Sequence, residues 1–290
     1  MKYLSDLDST PVKDKIAAMT TLVYSYSKWI DQLKDMIKDT NQVAPKYYEK
    51  ANKHIAACQE ACERMYSGLE LLNQETIWQA FQLANRAMFM QRIHLKLQEH
   101  DKYPNDIELQ NKIKSLDYYS ENDVHMWRPF QIAFLLMSIQ SIIDPACHQR
   151  DIVDLIWFPT GGGKTEAYLG LTAFTIFYRR LAYSANSGGT ACITRYTLRL
   201  LAAQQFVRAA TLICACEAIR QDASSPKKYP IYPLGKEMIS IGLWIGGDHT
   251  PNKTIGIQGA KEHLEKLHQI KSAHELRWTK DRHHCCPAKR

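Results

Sequence analysis

Glycine is nearly missing from the first half of this chain. Gly68 is the sole glycine before residue 150 of 290. Breaks there fall to proline instead, at Pro45 and Pro104. A long uninterrupted apolar run is missing too. The longest, residues 132–143, contains Ser138, Gln140 and Ser141, far short of a membrane span. The N-terminus, Met1-Lys2-Tyr3-Leu4-Ser5-Asp6, lacks the apolar stretch of a secretory signal. The expectation is a cytoplasmic protein without membrane attachment. Its eight cysteines are then read as buried free thiols and not as a disulfide framework. The chain also contains no Asp-Glu dipeptide.

What is present is ordinary in bulk and uneven in detail. Apolar residues make up 45% and charged residues 23%, as in a soluble globular protein. The length suits roughly two domains. Residues 1–150 hold 18 Lys/Arg against 19 Asp/Glu, whereas residues 151–290 hold 19 against 11. The basic second half suits a polyanion partner such as nucleic acid, or is a basic surface with no partner.

Residues 1–120 read as helical. Ile16, Met19, Leu22, Val23, Tyr26 and Ile30 recur at three- and four-residue spacing, and so do Ile77, Phe81, Leu83, Ala84, Ala87 and Met88. Asn73-Gln74-Glu75 fits a helix start. The expectation is a helical bundle or extension. On one of these helices His54, Cys58 and Cys62 fall at i, i+4 and i+8. That spacing lines up three metal ligands, but without a visible fourth it equally describes a packed face.

The polar stretch 119–123 marks the expected boundary. Beyond it, short apolar runs at 152–157, 189–193 and 239–245 alternate with helix-like segments. This βαβ alternation predicts an α/β domain, with a parallel sheet and helices on both faces. The first run leads into Trp157-Phe158-Pro159-Thr160-Gly161-Gly162-Gly163-Lys164-Thr165. Strand, glycine loop and helix in that order form a phosphate-binding context. Glycine lets backbone N–H groups close around an anion, and a helix N-terminus adds its dipole. Lys164 would reach the β- and γ-phosphates of ATP, and the Thr165 hydroxyl would hold Mg²⁺. The alternative is a glycine-rich turn before a core helix.

Thr160-Gly161-Gly162-Gly163-Lys164-Thr165 resembles the phosphate loop of superfamily 2 helicases, with Phe158 where that pattern has a small residue. Other segments fit the same resemblance. Trp127-Arg128-Pro129-Phe130-Gln131 is similar to the family's Q motif, which implies an adenine contact by Gln131 with Arg128 and Phe130 beside it. Thr194-Arg195 resembles motif Ia, which implies contacts to a nucleic-acid backbone. Gly246-Gly247 resembles the family's glycine pair, or is a plain turn. Asp248 is a poor match to a Walker B aspartate, since no acidic residue follows it. The phrases from Trp157 to Gly170 and from Arg195 to Leu200 resemble the large helicases of DISARM anti-phage systems.

The resemblance implies a fold and a function. Residues 121–290 would be a RecA-like lobe, incomplete at its C-terminal end. The stretch from Lys164 to Arg290 is too short for a second lobe, so a fragment or an interrupted gene is expected. The implied function is ATP-dependent movement on nucleic acid, DNA in preference to RNA, alongside other defence-system proteins. Lys164 and Thr165 would be its catalytic residues here, with Thr160, Gly161, Gly162 and Gly163 cradling the phosphates. His283-His284-Cys285-Cys286 could be half of a zinc site. A helical interaction scaffold with a residual nucleotide fold is the alternative from another class, and an unrelated phosphate-loop NTPase is a third.

Overall fold

The computed structural model describes residues 1–39, 41–100, 111, 115–118, 120, 125–157, 159, 161–184, 187–196, 199–222, 233–244, 253–256, 259–262 and 265. Among them the regular elements are helical. They are α1 (Val12–Lys38), α2 (Tyr48–Leu71), α3 (Glu75–His100), α4 (Pro129–Ile143), α5 (Lys164–Tyr183) and α6 (Arg199–Asp222), with 3₁₀ turns at Lys2–Leu4, Pro45–Tyr47 and His148–Asp151. Contacts divide the chain into two units. One comprises Met1–Thr194 and Arg208–Ile239, the other Arg195–Val207 and Ser240–Arg290.

The first unit is built around α3. Its apolar residues are buried on nearly every side, from Ile77 and Trp78 through Phe81, Leu83, Met88 and Phe89 to Ile93. Asn85, Arg86 and Gln91 are buried with them, so the helix is central although not apolar all round. It packs on α5, α2 packs on both α1 and α4, and α4 reaches α5. The stripe expected from residue 16 to 30 is only partly inward, with Met19, Val23 and Ile30 buried. Lys15 lies on that same face. It is 1% exposed, and its Nζ donates to the carbonyls of Ser5 at 2.8 Å and Asp8 at 2.9 Å. A buried ammonium held by carbonyl oxygens keeps its charge solvated.

Gly68 sets the spacing between α2 and α4. A Cβ there would stand 2.1 Å from the carbonyl oxygen of Leu136. Nearby, Arg64 of α2 grips Asp154 with two bonds, 2.6 and 2.7 Å long. This fork fastens the segment leading into the glycine loop to the helical core. Arg86 of α3, 2% exposed, bonds Asp6 at 3.5 Å and Asp222 of α6 at 3.2 Å. Burial pushes the Asp6 carboxyl up, against the pull of Arg86.

The expected α/β architecture is overturned. Among the described residues there is no strand and no sheet, so the RecA-like parallel sheet placed in residues 121–290 is not supported. The segments 152–157, 189–193 and 239–244 carry no ladder. Val153, Leu155 and Trp157 are 92, 81 and 88% exposed, so no layer of helices covers the first of them. Their backbone bonds go elsewhere. The Ile152 N–H donates to the Gln149 carbonyl at 3.2 Å, and the Ile239 N–H to Glu217 Oε2 at 2.9 Å. A short apolar run has strand character only where a neighbour completes its hydrogen bonds, and periodicity cannot supply the neighbour.

The same Glu217 gives a pH prediction. Burial works to raise its carboxyl, but bonds from Arg220, the Ile239 N–H and Gln221 outweigh it and bring the pKa down from 4.5 to about 2. The carboxylate therefore stabilises the fold fully above the unfolded value. That contribution fades as pH falls from 4.5 and is gone below 2. Thermal melts from pH 6 to 2 should show a steeper acid loss for the native chain than for Glu217→Gln. Parallel curves would rule out Glu217 as a source of acid sensitivity.

Among the described residues no helix is long and apolar enough to cross a membrane. Cys62, Cys147 and Cys216 are buried free thiols, and Cys192 and Cys214 are exposed ones. Among the described residues no three metal-ligating side chains converge, and His54, Cys58 and Cys62 are spaced along α2 without forming such a group. Pro104, Asp248 and the His283–Cys286 stretch lie outside the described residues.

Candidate phosphate-binding site

The glycine loop ends as α5 begins. Gly161 and Gly163 hold φ angles of 80° and 89°, in the region that favours glycine. Gly163 is the N-cap of α5 and gives it no side-chain cap. The N–H groups of a first turn have no partner within their own helix, so an uncapped N-terminus can accept an anion. Lys164 opens this turn and Thr165 follows, both partly buried. The Lys164 ammonium donates to the Pro159 carbonyl at 3.1 Å, the same oxygen that accepts the Gly162 N–H.

The loop is braced from α4. Arg128 precedes that helix, and its guanidinium donates to the Gly162 carbonyl at 2.9 Å. Gln131, 3% exposed, accepts the Arg128 N–H at 2.7 Å and donates to the Gly163 carbonyl at 2.6 Å. Pro129 suits the first helical position because its missing N–H would find no partner there anyway. Trp127 anchors the segment. Its indole N–H donates to Asn85 at 2.7 Å, and its ring lies against Gly170 of α5, where a Cβ would come within 2.7 Å. Arg128 and Gln131, 33 positions or more before Lys164, are thus brought onto the loop. Both sides of the Gln131 amide are engaged there, so its direct work is to fix the loop. Phe130 sits partly buried in the first turn of α4.

A second set of contacts lies below the loop. Glu166, one residue past Thr165, pairs with Arg92 of α3 at 3.5 Å and with Arg208 of α6. The Gln91 amide donates to the Arg208 carbonyl at 3.3 Å. A Cβ on Gly163 would lie 3.5 Å from Glu166 Oε2, so the carboxylate underlies the loop itself. Arg92, Arg128, Lys164 and Arg208 therefore surround the loop with one carboxylate among them. Sequence reading missed Arg92 and Arg208, which no local spacing connects to the loop. Glu166 was visible only as a letter in a longer phrase.

Thr194 and Arg195 are both exposed, Thr194 in the first unit and Arg195 in the second. Thr160, Gly246 and Gly247 lie outside the described residues, as does Phe158.

No protein-family model matches the chain. Over 285 residues, 96% of its length, the chain is 33% identical to the DISARM protein DrmA of Bacillus paralicheniformis (strain ATCC 9945a / NCIMB 11709 / CD-2). The match covers 23% of that protein, so the chain spans about a quarter of the relative's length. The matched part of this chain takes in both the helical core and the glycine loop. The chain is therefore related to a DISARM protein and corresponds to a part of it.

Proposed function

We propose that this chain is the ATP-binding part of an ATP-dependent helicase or translocase acting on DNA in phage defence. The observation that carries the reading is the glycine loop. Two of its glycines hold left-handed angles, it opens an uncapped α5, and cations surround it. That arrangement suits a polyphosphate better than a neutral ligand. The similarity to a DISARM protein supports the defence setting.

The roles follow from position. The N–H groups of the first turn of α5 take the phosphates, with Lys164 turning from the Pro159 carbonyl to the anion. Thr165 would offer one hard oxygen to Mg²⁺, and the bound ion would offset charge on the phosphates. Arg128 and Gln131 hold the loop in shape, and Phe130 would stack on the base. Thr194 and Arg195 are exposed and suit sequence-independent contacts to a strand. Hydrolysis also needs an acidic pair and a transition-state arginine, so nucleotide binding is the step proposed for these residues.

Melting with and without Mg·ATP tests this. A ligand at a hundredfold excess over Kd stabilises a fold by about 2.7 kcal/mol, so the melting temperature of the native chain should rise. Lys164→Ala removes a charge-assisted contact and should weaken binding by about 10- to 100-fold, with the ligand-free melt unchanged. An equal response in both proteins would sink the reading. No response in either would favour the interaction scaffold, for which the large helical core is the supporting observation.

A further inference from the structure

We infer that Glu166 and Arg208 form a charge-balancing pair that sets the affinity of the glycine loop for a polyphosphate. The inference rests on the phosphate-binding reading of the loop. Glu166 lies in the first turn of α5, next to Thr165 and beneath Gly163. Its side chain is 13% exposed, so solvent screens its charge poorly. A carboxylate at a helix N-terminus is favoured by the dipole. Beside an incoming triphosphate the same carboxylate repels, and some cation must cancel it.

Arg208 is placed to do so. It pairs with Glu166 Oε1 from α6, and its backbone carbonyl is held by Gln91 of α3. Arg92 approaches the same oxygen at 3.5 Å but is more exposed, 37% against 27%. Arg208 is thus the closer and better shielded partner. It is a positioning residue, since it acts on the ligand through Glu166. Loss of Arg208 leaves a half-cancelled carboxylate under the phosphates. Loss of Glu166 frees two arginines to face the anion.

The test is a double-mutant cycle on the full chain, with Mg·ATP affinity as the readout. Arg208→Gln should raise Kd about tenfold at low salt, and less at high salt. Glu166→Gln should lower Kd about threefold. The double variant should return to within about threefold of the native chain. A purely structural role predicts no such rescue. The inference alone is overturned if the native chain binds Mg·ATP and Arg208→Gln stays within about twofold of it, or if the double variant is as weak as Arg208→Gln. Should Arg208→Gln not fold, Glu166→Gln decides by itself: tighter binding supports the pair, and equal or weaker binding overturns it. A native chain that binds no Mg·ATP removes the phosphate reading, and this inference with it.

Discussion

Gly68→Ala is expected to lower the melting temperature by about 3–7 °C, corresponding to roughly 2–4 kcal/mol in a chain of this size. On helix propensity alone the sign would be opposite, since alanine inside a helix is better than glycine by up to about 1 kcal/mol. Packing decides the matter. The new Cβ would meet Leu136 O at 2.1 Å, Leu136 C at 2.8 Å and Leu136 Cα at 3.1 Å. All three are backbone atoms of α4, so no rotamer change relieves the clash. The two helices must part, which exposes some of the buried surface of Met65 and Leu69 on α2 and strains the Arg64–Asp154 fork. Gly242→Ala is the control, because nothing lies within 4 Å of its Cβ position. Thermal melts of the two variants should differ by nearly the full shift. A rise in the melting temperature for Gly68→Ala would show that α2 and α4 do not cross so closely.

That single early glycine also shows what a sequence can tell. Its isolation in a helical stretch was plain, yet the reason lies in α4, nearly 70 positions away. The helices themselves were legible. Periodic apolar residues announced α1 and α3, and α3 begins at Glu75, where Asn73-Gln74-Glu75 had the form of a start. The glycine loop and α5 could be read because their signal is local, with each residue type required by the turn or the dipole. The sheet was the wrong reading for a related reason. Val153, Leu155 and Trp157 alternate as a strand does, but strand pairing belongs to two segments at once. Asp154, between them, turns to Arg64. The charged frame of the loop was hidden as well. Arg92, Glu166 and Arg208 come from three helices, and only the packing of α3, α5 and α6 brings them together.

Gly163→Ala is expected to cost about a hundredfold in Mg·ATP affinity, on the proposed reading of the loop, because a loop that shifts to relieve the new Cβ must be forced back to bind. Two penalties add. An L-residue at φ 89° is strained by about 1–2 kcal/mol. The new Cβ would also stand 2.8 Å from Gln131 Nε2. Side-chain ends usually move cheaply, but this amide is 3% exposed and is held on both sides, by the Arg128 N–H and the Gly163 carbonyl. Moving it gives up two hydrogen bonds, each worth about 0.5–1.5 kcal/mol. The loop would lose its brace where the phosphates must enter. Gly161→Ala separates the two penalties. Its φ is 80°, but nothing lies within 4 Å of its Cβ position, so it carries strain alone and should lose only about tenfold. In a Gln131→Ala background the clash is absent, so the further loss from Gly163→Ala should shrink to that of Gly161→Ala. Titrations of Mg·ATP against these four variants measure the brace directly. Equal losses for Gly161→Ala and Gly163→Ala in the native background would mean that Gln131 does not hold the loop.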